Sequence, residues 1–151
     1  MKYQHEIVIN LPRAAVIQKF DSTENMKHWQ RGFMGMEPIS GNPGEEGAKS
    51  TLTYQMGKRK ITMIETIAHK NLPEEFHGTY EADGVYNIQE NYFEAIDDNA
   101  TKWISDSEFR FSGFMMKFIG FIMPGAFKRQ SYQYMVDFKN FAEKGISVND
   151  S

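Results

Sequence analysis

Two glutamates, Glu65 and Glu90, occupy positions in the sequence that favour acid–base chemistry. Glu65 shares one face of a predicted strand, ITMIETIA, with three apolar residues, opposite Leu52 or Ser50, and Glu90 lies within a second predicted strand, 85–96. A carboxylate in apolar surroundings is costly unless it is paired, and its pKa tends to rise. Such a group could orient a polar ligand or exchange a proton with it. The pattern also allows a structural role, in which neighbouring hydroxyl groups satisfy both carboxylates or both sit at an exposed sheet end.

The register between the predicted strands 85–96 and 101–112 decides which way Glu90 points. In the second strand, one alternating set is mostly aromatic or small and the other is mostly charged, so the first set predicts the inner face. A loop of two or four residues centred on DDNA then pairs Glu90 with Ser107. The predicted inner face of this pair consists of Ile88, Glu90, Tyr92, Trp103, Ser105, Ser107, Phe109 and Phe111.

His77 is the possible partner of Glu90, and the length of the next loop decides its orientation. If Asp83-Gly84 forms a two-residue hairpin turn, His77 lies beside Glu90 on the inner face. If the loop takes three residues, His77 faces water and the inner face receives Phe76, Gly78 and Tyr80, which the aromatic pattern favours. Glu90 and His77 are the catalytic candidates that the sequence offers.

Other reactive or cofactor-binding groups are not indicated. The chain has no cysteine, which excludes disulfides and thiol catalysis, and its four histidines lack metal-ligand spacing, so we expect neither a metal nor another cofactor. GNPGEEGAKS differs from a phosphate-binding loop because Ala48 separates Gly47 from Lys49 and a strand follows. The net charge of −3 and the lack of a long basic segment argue against nucleic-acid binding.

The spacing of apolar residues predicts the helices and strands that position these side chains. A chain of 151 residues most simply forms one domain. A strand over 3–10 precedes two short helices, in LPRAAVIQKF and near Trp29, and an antiparallel meander then gives six or seven strands in all. Apolar residues at helical spacing predict a long helix from Ala126 to Lys144. The fold class is therefore α+β, a curved antiparallel sheet around a long C-terminal helix. We expect 1–145 to form the domain and 146–151 a flexible tail.

Four local signatures accompany this element order: MKHWQRGF, SGNPGEEGAKSTLTY, MIETIAHKNLPEEF and TKWISDSEFRF. With them the chain resembles the START-like, or SRPBCC, superfamily of helix-grip proteins, which includes polyketide cyclases, aromatases and lipid-transfer domains. The resemblance covers about residues 3–144. It implies a hydrophobic cavity between the sheet and the C-terminal helix, but no family catalytic motif can be carried over to particular residues.

The predicted function is binding of a hydrophobic or aromatic small molecule, or a lipid, in that cavity. The alternatives are a cyclase-, aromatase- or hydrolase-type enzyme using an inward carboxylate, and a protein-partner module, such as a homodimer, using the apolar segment 113–127. The expected cavity lining is Trp29, Tyr54, Met63, Glu65, Ile88, Glu90, Tyr92, Trp103, Ser105, Ser107, Phe109, Phe118, Phe121, Ile122, Phe127 and Tyr134.

The segment GFMMKFIGFIMPGAF, residues 113–127, is the most apolar stretch of the chain. It is too short for a membrane span of about 20 apolar residues and contains Lys117, so we expect no transmembrane segment. We interpret it as the roof of the cavity, with a break at Pro124-Gly125 before the long helix. The N-terminus, MKYQHEIVIN, lacks an apolar signal core, and we therefore expect a cytoplasmic protein.

Overall fold

A seven-stranded antiparallel sheet and four helices make up the part of the chain that the structure describes. The structure is a computed structural model that describes residues 1–149, with the backbone alone at Met115, Ile119, Gly120, Ile122 and Pro124. The elements in chain order are β1 (Lys2–Ile9), α1 (Arg13–Phe20), α2 (Met26–Trp29), β2 (Phe33–Ser40), β3 (Lys49–Met56), β4 (Arg59–Asn71), β5 (Glu75–Ala82), β6 (Val85–Asp97), β7 (Ala100–Phe111), α3 (Phe114–Ile122) and α4 (Pro124–Lys144).

The strand order across the sheet is β1-β7-β6-β5-β4-β3-β2, so every strand from β2 to β7 pairs with its sequence neighbours and β1 closes the far edge against β7. This arrangement confirms the predicted α+β fold with two short helices after the first strand. The long helix α4 contains 21 residues, which corresponds to about 31 Å, and begins two residues earlier than predicted. Its length allows it to cross several strands of the sheet.

Turn chemistry explains why the strands pair as they do. The hairpin between β5 and β6 has a two-residue turn, Asp83-Gly84, in which Gly84 has φ = +77°. Gly84 is also needed for space, because an added Cβ would collide with the side chain of Met116 on α3. Gly145, with φ = +69°, ends α4 through hydrogen bonds to carbonyl groups of its last turn.

One half of the contact between the sheet and α4 is a closed aromatic core, which we call the closed end. Phe138 is fully buried, and its ring lies 5.1 Å from Trp29 and 5.4 Å from Trp103 in edge-to-face geometry. Phe20 of α1 completes the same cluster at 5.8 Å from Phe138. The closed end consists of Ile7, Ile9, Val16, Trp29, Phe93, Trp103, Met135, Phe138 and Ala142.

Residues beyond α4 return to the second short helix. His28 Nδ1 lies 2.9 Å from Ser147 Oγ, and the backbone N–H of Val148 donates to the carbonyl of His28 at 3.0 Å. This part of the expected flexible tail is therefore held against α2. Asp150 and Ser151 belong to that expectation but lie outside the described residues.

Within residues 1–149, no helix combines the length and the apolar character needed to cross a bilayer.

Candidate functional site

The opposite half of the sheet–helix contact is partly open, and we call it the open end. Its side chains point to the concave face of the sheet or down from α4, yet each keeps part of its surface accessible. Partial exposure on an inward-facing surface is typical of side chains that line a cleft rather than a packed core. The open end consists of Tyr3, Glu65, Tyr80, Gln89, Phe109, Phe111 and Phe127.

One transverse row of paired residues crosses this region of the sheet. Strand pairing places Glu65 between Ser50 and Tyr80, and it continues through the next two strands to Asn87 and Phe109. All five residues share the concave face because directly paired residues of an antiparallel sheet point to the same side. We call this set the Glu65 row. It confirms Ser50, one of the two alternatives that the sequence allowed, as the partner of Glu65.

The Glu65 carboxyl group lies among apolar and phenolic side chains. Burial raises its pKa, and hydrogen bonding from the Tyr80 hydroxyl opposes that rise in part. The pKa of Tyr80 is raised well above its usual value, first by burial and then by the neighbouring Glu65. Gly78 leaves room for the Tyr80 ring, since a Cβ at that position would lie 3.0 Å from the Tyr80 hydroxyl oxygen.

Two further tyrosines extend the phenolic surface towards α4. The Tyr54 hydroxyl donates to Gln30 Oε1 at 2.5 Å, and burial raises its pKa, with smaller contributions from Tyr134 and Glu65. Burial also raises the pKa of Tyr134. The two tyrosines belong to β3 and α4, the elements that border the concave face on this side.

A charged pair closes this side of the site near Tyr134. The buried Asp137 carboxylate accepts hydrogen bonds from Arg31 Nε at 2.8 Å and Arg31 Nη2 at 3.1 Å. Gln133 Nε2 donates to the same carboxylate at 2.9 Å. These hydrogen bonds satisfy the buried Asp137 carboxylate, and the Arg31 guanidinium forms its ion pair with that carboxylate.

The other wall of the open end is aromatic. The Phe127 ring of α4 lies 5.2 Å from Phe109 and 5.3 Å from Phe111, and the two β7 rings are stacked at 6.1 Å. Tyr3 fixes the helix over this wall, because its hydroxyl lies 2.5 Å from Ser131 Oγ and 3.2 Å from the Phe127 carbonyl oxygen. The wall is therefore a preformed apolar surface between β7 and the first turns of α4.

The prediction that Glu90 faces inward is wrong. The loop at Asp98-Asn99 has two residues, and Asp97 pairs with Ala100 as expected, but a bulge at Ile96 shifts the register by one residue. Glu90 consequently pairs with Asp106 instead of Ser107 and is exposed on the outer face. The same shift carries Ile88 and Tyr92 to the outer face, where Ile88 and Glu90 border a groove of about 420 Å³.

Each of the two alternatives that the sequence allowed for His77 is right in part. The turn has two residues and His77 pairs with Glu90, as the first alternative required, but both residues face outward. The second alternative was right about the inner face, which holds Phe76, Gly78 and Tyr80 because the bulge reversed the parity of β6. On the outer face, the His77 ring stacks on His69 at 5.6 Å, and its Nε2 lies 3.5 Å from Glu75. Among the described residues, no group of three His, Cys, Asp or Glu side chains is placed to hold a metal ion.

The remaining predicted lining residues separate into four groups. Trp29 and Trp103 lie in the closed end, whereas Phe118 and Phe121 are 51% and 85% exposed on α3 and do not line the cleft. They point outward because α3 turns its Met116 side towards Gly84. Ile122 lies outside the described side chains. The concave face or α4 carries Tyr54, Met63, Glu65, Ser105, Ser107, Phe109, Phe127 and Tyr134.

Three amides on β6 belong to the concave face and were missed by the sequence reasoning. Asn91 is buried and accepts a hydrogen bond from Trp103 Nε1 at 2.9 Å, while Gln89 donates to Asn87 at 2.9 Å. Their polarity suggested a solvent face. The available signal was Phe93, a large apolar residue whose parity matches that of the amides.

The open end thus combines an aromatic wall, a row of hydrogen-bonding groups and the carboxyl group of Glu65 on the described concave face of the sheet. Such a surface can hold an apolar body on one side and orient a polar group on the other. It supplies Glu65 as a possible proton donor or acceptor, because a carboxyl group whose pKa is raised by burial can exchange protons closer to neutrality.

Comparisons with known proteins identify the fold. A scan against protein-family models and a search of curated protein sequences both give no match for this chain. Among solved structures, an aromatase/cyclase from Streptomyces sp. R1128 is similar with a TM-score of 0.78 and 11% identity, covering 95% of this chain and 94% of that one.

Two other solved structures share this architecture. Ara h 8.0201 has a TM-score of 0.74 and 14% identity, with 94% of this chain and 97% of that chain covered. Norcoclaurine synthase from Thalictrum flavum, in complex with dopamine and hydroxybenzaldehyde, has a TM-score of 0.70 and 14% identity, with 97% and 88% covered. These similarities confirm the helix-grip fold over nearly the whole chain.

Proposed function

We propose that this helix-grip protein binds a small molecule with an apolar or aromatic body between the concave face of its sheet and α4. The observation that carries the proposal is the open end, where Phe109, Phe111 and Phe127 remain partly exposed on an inward-facing surface. Covering apolar surface contributes about 25 cal/mol for each Å² removed from water, so a ligand that covers this wall is stabilised.

The structural neighbours support small aromatic molecules as the first class to test. One neighbour holds dopamine and hydroxybenzaldehyde, and another is an aromatase/cyclase. Lipids and other apolar molecules stay within the proposal because the wall offers shape and apolar surface rather than a defined set of hydrogen bonds.

Native mass spectrometry and calorimetry test this proposal together. The protein is examined as purified and then titrated with a fatty acid and with flat aromatic compounds. We expect Phe127→Ala to weaken binding several-fold, because it removes one ring of the wall. The matched control is Ile39→Ala, an exposed position on β2, which should leave binding unchanged. The proposal is abandoned if no species co-purifies and no compound of either class binds at millimolar concentration.

An enzyme of cyclase, aromatase or hydrolase type is a second candidate function, and Glu65 is the observation that favours it. The residue supplies the inward carboxyl group that the sequence reasoning had also placed at Glu90. If a compound that binds is also converted, Glu65→Gln should abolish conversion while the exposed Glu90→Gln leaves it intact. Conversion that survives Glu65→Gln would remove this candidate.

The partner and the location of the protein stay predictions. Phe114, Phe118 and Phe121 form one exposed stripe on α3, and an exposed apolar stripe of this kind favours contact with another molecule, here a second copy of the chain. Light scattering at increasing concentration tests the homodimer, and a constant monomer mass excludes it. The absence of cysteine agrees with a cytoplasmic location.

A further inference from the structure

Three phenylalanines of α3 point away from the rest of the protein. Phe114 and Phe121 are 83% and 85% exposed, and Phe118 is 51% exposed. Their spacing of four and three residues places them along one side of the helix, which we call the aromatic stripe. Met116, which packs against the β5–β6 turn at Gly84, lies on the opposite side. The stripe is therefore an outward surface of large apolar side chains, and such a surface marks contact with another molecule or with a membrane.

The chain around the aromatic stripe is positively charged, although the protein has a net charge of −3. Residues 109–136 contain two lysines, two arginines and no aspartate or glutamate. Three of these cations, Lys117, Lys128 and Arg129, are exposed, and none of the ion pairs between described side chains includes them. The fourth, Arg110, is paired with a glutamate of the same strand. We call the first three the exposed cations.

Lys117 lies at the border of the aromatic stripe. It is three residues after Phe114 and four before Phe121, so its long side chain can reach sideways from the same face of α3. An acidic residue, Asp83, belongs to the turn that packs against Met116, and it is therefore behind the helix and not on the stripe. Aromatic rings on one face with lysine or arginine at its border are typical of helices that lie in the plane of a lipid surface.

Charge decides between the two partners that could cover this surface. A symmetric dimer through the stripe would bring the exposed cations of two chains around one contact, where like charges repel. A surface of anionic lipids would instead attract them and also accept the apolar rings. With nine residues, α3 is too short to cross a bilayer, so it would lie within the interface.

We propose that α3 docks the protein on a surface of anionic lipids. The aromatic stripe enters the boundary between headgroups and acyl chains, and the exposed cations contact the headgroups. The inference is independent of the proposed ligand. It nevertheless places the lipid surface beside the open end, because α3 connects Phe111 at the end of β7 with Phe127 near the start of α4.

Sedimentation of the whole chain with sucrose-loaded vesicles tests the docking. One set of vesicles is phosphatidylcholine alone, and the other contains about one third phosphatidylglycerol, which supplies the negative charge. We expect partitioning into the mixed vesicles to be about ten-fold or more stronger than into the neutral ones. The preference should shrink as sodium chloride is added, because salt screens exposed charges.

Two pairs of variants assign the binding to α3. Phe121→Ser should weaken partitioning into mixed vesicles about ten-fold or more, and its exposure means that the fold does not depend on it. The matched control is Ile39→Ser, which removes an apolar side chain that is 53% exposed on β2. Lys117→Gln should reduce the preference for mixed vesicles several-fold, whereas Lys144→Gln, at the other end of α4, should keep it.

Each remaining outcome would overturn the inference in a recognisable way. If the protein does not partition into mixed vesicles, or if Phe121→Ser partitions as strongly as the unmodified protein, α3 is not a lipid-docking helix. Equal partitioning into neutral and mixed vesicles would remove the role of the exposed cations. A dimer that light scattering detects, that Phe121→Ser abolishes and that forms without any vesicle binding would assign the aromatic stripe to a second copy of the chain.

Discussion

The two ends of the sheet–helix contact differ in how completely α4 covers the sheet. At the closed end, Phe138 has no exposed surface and Trp103 has 4%. At the open end, Phe127 and Phe109 touch each other but keep part of their surface accessible. The same helix therefore buries side chains completely on one half of the sheet and leaves them partly exposed on the other half.

This difference separates stability from recognition along one helix. Full burial of large side chains supplies the hydrophobic free energy that holds α4 in place, and the closed end contains most of it. The open end can then present half-buried rings, amides and a carboxyl group without endangering the fold. Polar groups that would be costly in a packed core become useful where a ligand can reach them.

The test with the largest expected effect on stability compares two phenylalanines on α4. Phe138→Ala should lower the free energy of unfolding by about 3–5 kcal/mol, because it leaves a cavity in a core of interlocking rings. Phe127→Ala should cost about 1–2 kcal/mol, since its ring is only partly removed from water. Urea denaturation measures both. Equal losses would show that the two ends are equally packed and would break the comparison.

The sequence predicted the elements of the fold better than it predicted which face each side chain occupies. Periodicity and turn residues identified the antiparallel meander, the short helices and the long helix, because each depends on many residues that agree. The orientation of β6 depended on one residue, Ile96, whose bulge reversed the face of every residue before it. A single local irregularity therefore moved Glu90 outward and brought three amides inward.

The orientation of α3 was unpredictable for a related reason. The segment is apolar on most sides, so its composition does not select the face that packs on the sheet. Contact between Met116 and the β5–β6 turn makes that choice, and it depends on the tertiary fold. Glu65 was assigned correctly because the β3–β4 hairpin keeps its register from Lys49 to Met56.

A smaller test compares two amides on the concave face of β6. Asn91→Ala should cost about 1–3 kcal/mol, because the buried Trp103 Nε1–H loses its acceptor. Gln89→Ala, two residues nearer the open end, should cost less than about 1 kcal/mol because water can replace its hydrogen bond. Thermal and urea unfolding measure the difference. A larger loss for Gln89→Ala would mean that the open end is as dry as the closed end.

The smallest effect is a pH dependence of stability at Glu65. Because burial raises its pKa in the folded protein above the ordinary value of about 4.3, the folded state holds the proton more tightly than the unfolded state. The resulting stability is complete below the unfolded pKa and is lost as the pH rises through the folded pKa. Glu65→Gln removes this loss, so its stability relative to the unmodified protein should increase with pH across that window and then become constant.

Denaturation at several pH values gives the free energy of unfolding of Glu65→Gln and of the unmodified protein. The difference between these two free energies isolates the contribution of Glu65. Tyr80 on β5, Tyr54 on β3 and Tyr134 on α4 face the site from the neighbouring elements, and their raised pKa values place their titration far above this window. Glu90→Gln, which removes a carboxyl group from the exposed outer face, is the matched control. A flat difference for Glu65→Gln, or one that falls with pH, would mean that water reaches this carboxyl group as freely as it reaches Glu90, and the open end would then be a surface and not a cleft.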